Sequence, residues 1–222
     1  MSYCEKEMRG GTLIVALSNP PFNTFTSENL EALAGEFEAI GADAPAEGVV
    51  LTGANGEFTR GMDTKVASAL DDAGRERARH AINIFFAALH RLPCPLVCAI
   101  NGHAIGAGGI AALCSDWVVA SDTDHRIGLP EAKAGLPFPS VAQAVLDHGI
   151  DPVWRRRLAL TSALLDREES LKAGLVDEIV PADELVANAV KRAADMAAQP
   201  GFGACKAQLR AKANAEIDAL LA

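Results

Sequence analysis

Two glycine-marked turns constrain this sequence more than any other feature. The first covers residues 56–63 and the second covers residues 101–109. Each turn follows a short apolar run that is typical of a buried strand, and the second turn opens a helix of small residues. Because glycine has no Cβ atom, the backbone at such turns can bend sharply and approach a ligand closely. Two turns of this kind can direct two backbone N–H groups at one oxygen atom, which is what an oxyanion hole requires.

The regions around these turns alternate between strand-like and helix-like patterns. Apolar or alternating runs predict strands at residues 11–18, 49–52, 96–100 and 117–120. Helical periodicity predicts helices at residues 28–40, where Ser27 can act as the N-cap, and at residues 72–92 and 108–114. Strands that alternate with helices indicate an α/β fold with crossover connections.

The pattern changes near residue 139. Helices are predicted at residues 141–146, 152–160, 167–173 and 182–198, with a strand only at residues 176–180. We therefore predict two regions: an α/β core over residues 1–140, which contains both glycine turns, and a helical C-terminal region over residues 141–222.

Charge and cysteine content exclude several classes of protein. A formal net charge of −9 argues against nucleic acid or an anionic membrane surface as the main partner. The five cysteines are odd in number and lie mostly in apolar surroundings, which predicts a reducing compartment without a disulfide framework. Cys94 and Cys98 lack a second Cys or His pair, so no metal site is predicted. With no signal pattern and no membrane-spanning run, the expectation is a soluble cytoplasmic protein.

Five ordered segments of the chain resemble the enoyl-CoA hydratase/isomerase (crotonase) superfamily. They are the two strand–turn units at residues 49–63 and 95–109, Asp116, residues 128–137 and residues 173–177. Either turn alone would be weak evidence, whereas five segments in the family's order and spacing are specific. Within the superfamily the pattern is most similar to monofunctional Δ3,Δ2-enoyl-CoA isomerases, which use a single glutamate.

This resemblance implies a fold, a substrate class and an assembly. The fold would be the crotonase spiral of stacked β-β-α units, followed by the helical C-terminal region. The substrate would be an acyl-coenzyme A thioester, and no separate cofactor would be needed. The protein would form a homotrimer or a dimer of trimers, with residues 141–222 contributing to trimerisation.

The resemblance also implies roles for individual residues. The backbone N–H groups of Met62 and Ala107 would form the oxyanion hole, and Glu131 would be the catalytic base. Ala107 begins a helix, where free N–H groups and the helix dipole favour negative charge. The substrate would be bound by residues around these positions, namely Gly61, Asp63, Gly106, Gly108, Ile110, Leu136 and Phe138. From the residue pattern alone, Asp63 is more typical of a helix cap.

Hydratases of the superfamily use two glutamates, and this chain has Ile110 where the first would lie. One glutamate is sufficient to move a proton from C2 to C4 of a 3-enoyl thioester, which favours isomerisation. An alternative is a hydratase that uses a non-standard second acid. His103 is the first candidate for that acid. Another alternative is an inactive acyl-CoA-binding member, because the chain is shorter than is usual in the family and would lack the last helix.

A third alternative is a dinucleotide-binding oxidoreductase. Residues 106–111 fit the Gly-x-Gly-x-x-Ala fingerprint. Five residues, 101–105, nevertheless separate this fingerprint from the preceding predicted strand, whereas a Rossmann strand leads directly into its first glycine. NAD binding is therefore a weak prediction.

Overall fold

The computed structural model describes residues 3–222, and the strands in this range form two sheets. In spatial order, the larger sheet contains β1 (Cys4–Arg9), β2 (Thr12–Leu17), β3 (Val49–Gly53), β4 (Leu96–Ile100), β6 (Trp117–Ser121) and β9 (Glu178–Val180). Strands β1 and β2 are antiparallel, and all other neighbouring pairs in this sheet are parallel. The smaller sheet contains β5 (Ala104–Ile105), β7 (Ile127–Gly128) and β8 (Leu164–Leu165).

Helices connect most of these strands. They are α1 (Ser27–Ala42), α2 (Thr64–Ser68), α3 (Asp72–His90), α4 (Ala107–Leu113), α5 (Glu131–Ala134), α6 (Ser140–Gly149), α7 (Pro152–Thr161), α8 (Arg167–Ala173), α9 (Leu185–Ala197) and α10 (Phe202–Leu221). Among the described residues, no helix is both long enough and apolar enough to cross a membrane.

Two successive units share the order strand, strand, helix. In the first, β4 belongs to the larger sheet, β5 to the smaller sheet, and α4 follows; in the second, β6, β7 and α5 take the same places. Strands β5 and β7 are parallel neighbours, so their C-terminal ends lie at the same edge of the smaller sheet. The turn before α4 and the turn before α5 are therefore brought together.

Both faces of the larger sheet are covered. Along β4, Leu96, Cys98 and Ile100 belong to the main core, whereas Val97 and Ala99 belong to a second core beneath α9. This division follows from the alternation of side chains along a strand. It explains why the predicted strand at residues 96–100 is a continuous apolar run, since neither face meets solvent.

Most predicted elements are present, with differences at their ends. Strand β4 and helix α8 have the predicted bounds, and the other predicted elements are recovered within a few residues. The predicted Ser27 cap is wrong, because Thr26 Oγ1 accepts from Asn29 N–H at 3.3 Å and Asn29 Oδ1 accepts from Thr26 N–H at 2.8 Å. This reciprocal pair is a capping box. Residues 1 and 2 of the predicted core lie outside the described residues, and the division at residue 140 stays a prediction.

The chain after Ala198 differs most from the sequence prediction. No helix is predicted there, yet residues Phe202–Leu221 form the long helix α10. The helix is anchored by charged side chains, because Lys206 Nζ and Arg210 Nη2 each donate to an oxygen of the Asp116 carboxylate at 2.6 Å. The Asp116 carboxylate also accepts from Leu96 N–H, at 2.8 Å. Asp116 therefore joins α10 to the larger sheet.

Candidate active site

The first glycine turn is held in place by the segment that precedes α1. Phe25 N–H donates to the Gly61 carbonyl oxygen, and Asp63 N–H donates to the Phe25 carbonyl oxygen, both at 2.8 Å. In a parallel bridge of this kind, the residue between the two bonded groups directs its own N–H to the opposite side. That residue is Met62, so its N–H points away from Phe25.

Asn23 also holds the first turn, and the sequence analysis did not identify it. Its buried side chain donates through Nδ2 to the carbonyl oxygens of Ala54 at 3.0 Å and Glu57 at 2.6 Å. Its own carbonyl oxygen accepts from Thr59 Oγ1 at 2.6 Å. Asn23 has a φ of 49°, a left-handed conformation that asparagine adopts more readily than most residues. An asparagine two residues after a Pro-Pro pair is a turn signal that could have been used.

The second glycine turn leads directly from β5 into α4. Gly106 has φ 57° and ψ −115°, and its N–H donates to the Gly128 carbonyl oxygen at 2.8 Å. Glycine is required here because few other residues adopt this backbone conformation. Ala107 is the first residue of α4, so its N–H has no acceptor within the helix.

The two turns approach each other so closely that side chains are excluded between them. A Cβ atom added at Gly61 would lie 2.5 Å from the Ile105 carbonyl oxygen and 3.4 Å from the Ala107 nitrogen. A Cβ atom added at Gly108 would lie 2.8 Å from Thr59 Cγ2 and 3.0 Å from the Thr59 carbonyl oxygen. The predicted residues Gly61, Ala107 and Gly108 are thus brought together.

Two backbone donors remain unused where the turns meet. Within residues 3–222, neither the N–H of Met62 nor that of Ala107 donates a hydrogen bond to another group. One belongs to the first turn and the other to the second, next to Gly61. A carbonyl oxygen of a ligand that lay between the turns would have two donors available.

Glu131 lies beside the second turn. Its Oε1 atom is 3.2 Å from the place where a Cβ atom of Gly106 would be, and its Oε2 atom is buried without a hydrogen-bond partner among the described residues. Burial raises the pKa of the Glu131 carboxyl group to about 7, while the backbone N–H of the same residue acts in the opposite direction. A carboxyl group with this pKa exchanges protons readily near neutral pH, as a general base must.

The smaller sheet accounts for the juxtaposition of Glu131 and Gly106. Gly106 directly follows the end of β5, and Glu131 follows the end of β7 after two intervening residues. The hydrogen bond from Gly106 N–H to Gly128 ties the two strand ends together at 2.8 Å. Each of these strands is only two residues long, too short for a periodicity that sequence analysis could detect.

The predicted apolar residues lie in different places. Ile110 is 1% exposed and belongs to the main core, within α4. Leu136 is 58% exposed, and together with Phe138 it lines an open groove of about 560 Å³ between α5, α6 and α7. The opposite wall of the groove includes Leu146, Ala159 and Leu160. An apolar groove that begins one residue beyond Glu131 is a candidate site for an acyl chain.

Two polar residues near the turns have structural contacts. Asp63 caps α2, because its Oδ1 atom accepts from Lys65 N–H at 2.9 Å and from Val66 N–H at 3.1 Å. His103 Nδ1 accepts from Arg126 N–H at 3.0 Å, so this ring fixes the loop before β7. The cap at Asp63 agrees with the interpretation from the residue pattern.

The chain belongs to the enoyl-CoA hydratase/isomerase family, whose model matches residues 7–221. It is 31% identical over 180 residues to the probable enoyl-CoA hydratase EchA17 of Mycobacterium tuberculosis, covering 79% of this chain and 67% of that protein. It is also 31% identical over 188 residues to mitochondrial enoyl-CoA delta isomerase 1 of Mus musculus, covering 82% of this chain and 63% of that protein. Relatives named for both activities are thus found at the same identity.

Similar solved structures confirm the predicted fold class. The human mitochondrial delta3-delta2-enoyl-CoA isomerase superposes with a TM-score of 0.86 at 26% identity, covering 99% of this chain and 90% of that chain. Pseudomonas aeruginosa DspI superposes with a TM-score of 0.86 at 27% identity, covering all of this chain and 91% of that chain. Family membership argues against the dinucleotide-binding alternative. The expected gap between a strand and the fingerprint is wrong, because β5 leads directly into Gly106.

Proposed function

We propose that this protein is a Δ3,Δ2-enoyl-CoA isomerase that uses Glu131 as its single base. Glu131 takes a proton from C2 of a 3-enoyl-CoA thioester, and the C2–H electrons become part of a dienolate. The Met62 and Ala107 N–H groups donate to the dienolate oxygen. Glu131 then returns the proton to C4, which leaves the double bond between C2 and C3. The Glu131 carboxylate lies beside the Gly106 turn with its Oε2 atom buried and unpartnered, and this observation carries the proposal.

The pKa of Glu131 suits a proton shuttle. At a pKa of about 7 the carboxylate is substantially ionised at neutral pH, yet basic enough to accept a proton from carbon. The resemblance assigns the second acid of hydratases to the position of Ile110, whose side chain is apolar and buried. Without a second acid, activation of water on C3 is not supported, whereas transfer between C2 and C4 needs one group only.

The reaction is tested by supplying 3-enoyl-CoA and 2-enoyl-CoA side by side. We expect isomerisation of the former and little hydration of the latter. Glu131→Gln keeps the shape and removes the base, so isomerisation should fall about 10²–10⁴-fold. Glu38→Gln, an exposed change on α1, is the matched control and should leave the rate unchanged. Faster hydration than isomerisation by the wild-type protein would contradict the proposal.

The oxyanion hole is tested separately with Ala107→Pro. Proline is tolerated at the first position of a helix but has no N–H, so the substitution removes one donor and keeps α4. Turnover should fall about 10²–10³-fold, with coenzyme A affinity largely retained. An unchanged turnover number would show that Ala107 N–H does not bind the developing charge.

A hydratase that uses a non-standard second acid is the second candidate, favoured by the hydratase names among the relatives. This candidate function predicts that Glu131→Gln abolishes hydration, and that a substitution of the second acid abolishes it too. His103 is the first to test, although its Nδ1 atom is occupied by Arg126 N–H. An inactive acyl-CoA-binding protein would bind both thioesters and convert neither.

We also propose a homotrimer or a dimer of trimers that acts on acyl-CoA thioesters without a separate cofactor. Exposed apolar side chains support the assembly, among them Leu136 at 58%, Leu160 at 74% and Leu209 at 86% exposed. Obligate interfaces cover such side chains. Sedimentation at micromolar concentration should give a species several times the chain mass of 23.2 kDa. A single species of monomer mass would exclude the assembly.

A further inference from the structure

The one-turn helix that carries Glu131 is capped from a distant part of the chain. Ser162 Oγ accepts a hydrogen bond from Lys133 N–H at 2.9 Å. Lys133 is the third residue of α5, and the first N–H groups of a helix have no acceptor within the helix. The residue at the N-cap position is Pro130, whose side chain makes no capping hydrogen bond. Ser162 thus supplies the acceptor that a local cap would otherwise provide.

The smaller sheet brings Ser162 to this position. Ser162 follows the last residue of α7 and lies two residues before β8. Strand β8 is antiparallel to β7, so the start of β8 lies beside the end of β7. The end of β7 leads through two residues to Glu131, which is why Ser162 meets α5. The sheet that ties Glu131 to the Gly106 turn therefore also places its cap.

The backbone of Ser162 is unfavourable for a serine. It has φ 53° and ψ 35°, the left-handed conformation at a helix C-cap that glycine occupies most easily. A serine there is held in a sparsely populated conformation, and such conformations persist only when the surroundings determine them. The hydroxyl contact to Lys133 is a property that glycine could not provide.

We propose that Ser162 is a positioning residue for Glu131, because its hydroxyl group fixes the helical turn from which the Glu131 carboxylate reaches the Gly106 turn. The inference rests on the proposed function, in which Glu131 is the base. Loosening α5 would displace the carboxylate from its place 3.2 Å from the Cβ position of Gly106. The proton transfer would slow, while the thioester would still bind between the two glycine turns.

Three substitutions separate positioning from stability. Ser162→Gly relieves the backbone strain and removes the hydroxyl, so kcat should fall about five- to tenfold, KM should stay unchanged and the urea midpoint should not decrease. Ser162→Thr keeps the hydroxyl on a β-branched residue that is strained here, so stability should fall while kcat stays within about twofold. Thr161→Ala is the matched control, because the Thr161 hydroxyl bonds only its own helix, at Arg157. Its kcat should not change.

A second measurement does not depend on turnover. Hydrogen exchange at the Lys133 amide, followed by NMR, should accelerate about fivefold in Ser162→Gly and should be unchanged in Thr161→Ala. The inference is overturned if this exchange rate is the same in Ser162→Gly and in the wild type, or if kcat follows stability across the variants. If the wild-type protein converts neither thioester, the proposed function fails, and the exchange rate still decides whether Ser162 holds α5.

Discussion

Replacing Glu131 with glutamine should stabilise the protein, and only at neutral and alkaline pH. Burial raises the pKa of Glu131 from its ordinary 4.5 to about 7 in the folded state. In the unfolded chain the group ionises near the ordinary value. Between these two pKa values the folded state therefore binds the extra proton, and stability falls as the pH rises. Well above pH 7 the carboxylate is charged in the folded state as well, and the loss is complete.

The size of this effect follows from the shift. Each pKa unit corresponds to about 1.4 kcal/mol, so the full loss is about 3–4 kcal/mol, of which roughly 2–3 kcal/mol falls between pH 5 and pH 8. Glutamine does not titrate, so the advantage of Glu131→Gln over the wild type should grow by that amount. Any constant effect of the substitution cancels in the comparison of the two pH values.

Equilibrium urea denaturation at both pH values measures the difference. Tryptophan fluorescence can report it, and the protein concentration should be fixed because assembly contributes to stability. Glu38→Gln is the control, and its stability relative to the wild type should change by less than about 0.5 kcal/mol between the two pH values. If Glu131→Gln behaves like this control, Glu131 is not a buried carboxyl group with a raised pKa, and its proposed role as a tuned base is refuted.

Two further substitutions test the close contact of the turns and the anchoring of α10. Gly61→Ala introduces a Cβ atom 2.5 Å from the Ile105 carbonyl oxygen, so turnover should fall about 10²-fold by displacement of the turns. Gly56→Ala has a similar positive φ of 71° but open space around it, so it should keep full turnover in the same assay. Asp116→Asn leaves Lys206 buried without its ionic partner, so urea denaturation should show a loss of about 3–5 kcal/mol; a loss below about 1 kcal/mol would contradict this role.

The sequence predicts the larger sheet well because its central strands are buried on both faces. Strand β4 is apolar at every position, since successive side chains enter the two cores on opposite faces. Helix α3 is predicted by its apolar face, which packs on α1 through Phe85 and Phe37 at 6.1 Å between ring centroids. In both cases burial imposes a regular pattern on consecutive residues, and the pattern can be recognised without a structure.

Helix α10 and strand β1 are not predicted from the sequence, because neither has a regular pattern of buried apolar residues. The buried residues of α10 are Lys206, Ala213 and Ile217, so a charged residue occupies the position where an apolar one would be expected. Five of the six residues of β1 are exposed, which removes the alternation that marks a half-buried strand. The ion pair that anchors α10 to Asp116 cannot be recognised from the sequence, because Asp116 and Lys206 are 90 residues apart.

For the candidate site, the sequence suggested residues but not their geometry. The family resemblance suggested Met62, Ala107 and Glu131 as site residues. The glycines in the two turns suggested a close approach, because glycine has no Cβ atom. The sequence contains no sign that Glu131 lies beside Gly106, since that contact depends on strands of two residues each. Asn23 and Ser162 were missed for a related reason: each acts through hydrogen bonds to a segment that is distant along the chain.

Several features of the site oppose stability, and they lie together. The Oε2 atom of Glu131 is buried without a hydrogen-bond partner among the described residues, and Ser162 has a left-handed backbone. Each is held by the smaller sheet, whose strands are too short to be stable alone and depend on the cores beside them. Substitutions that relieve these features, Glu131→Gln and Ser162→Gly, should therefore be recovered when variants are selected for stability alone. The same variants should lose turnover, because proton transfer depends on the charge and the position that the stabilising changes remove.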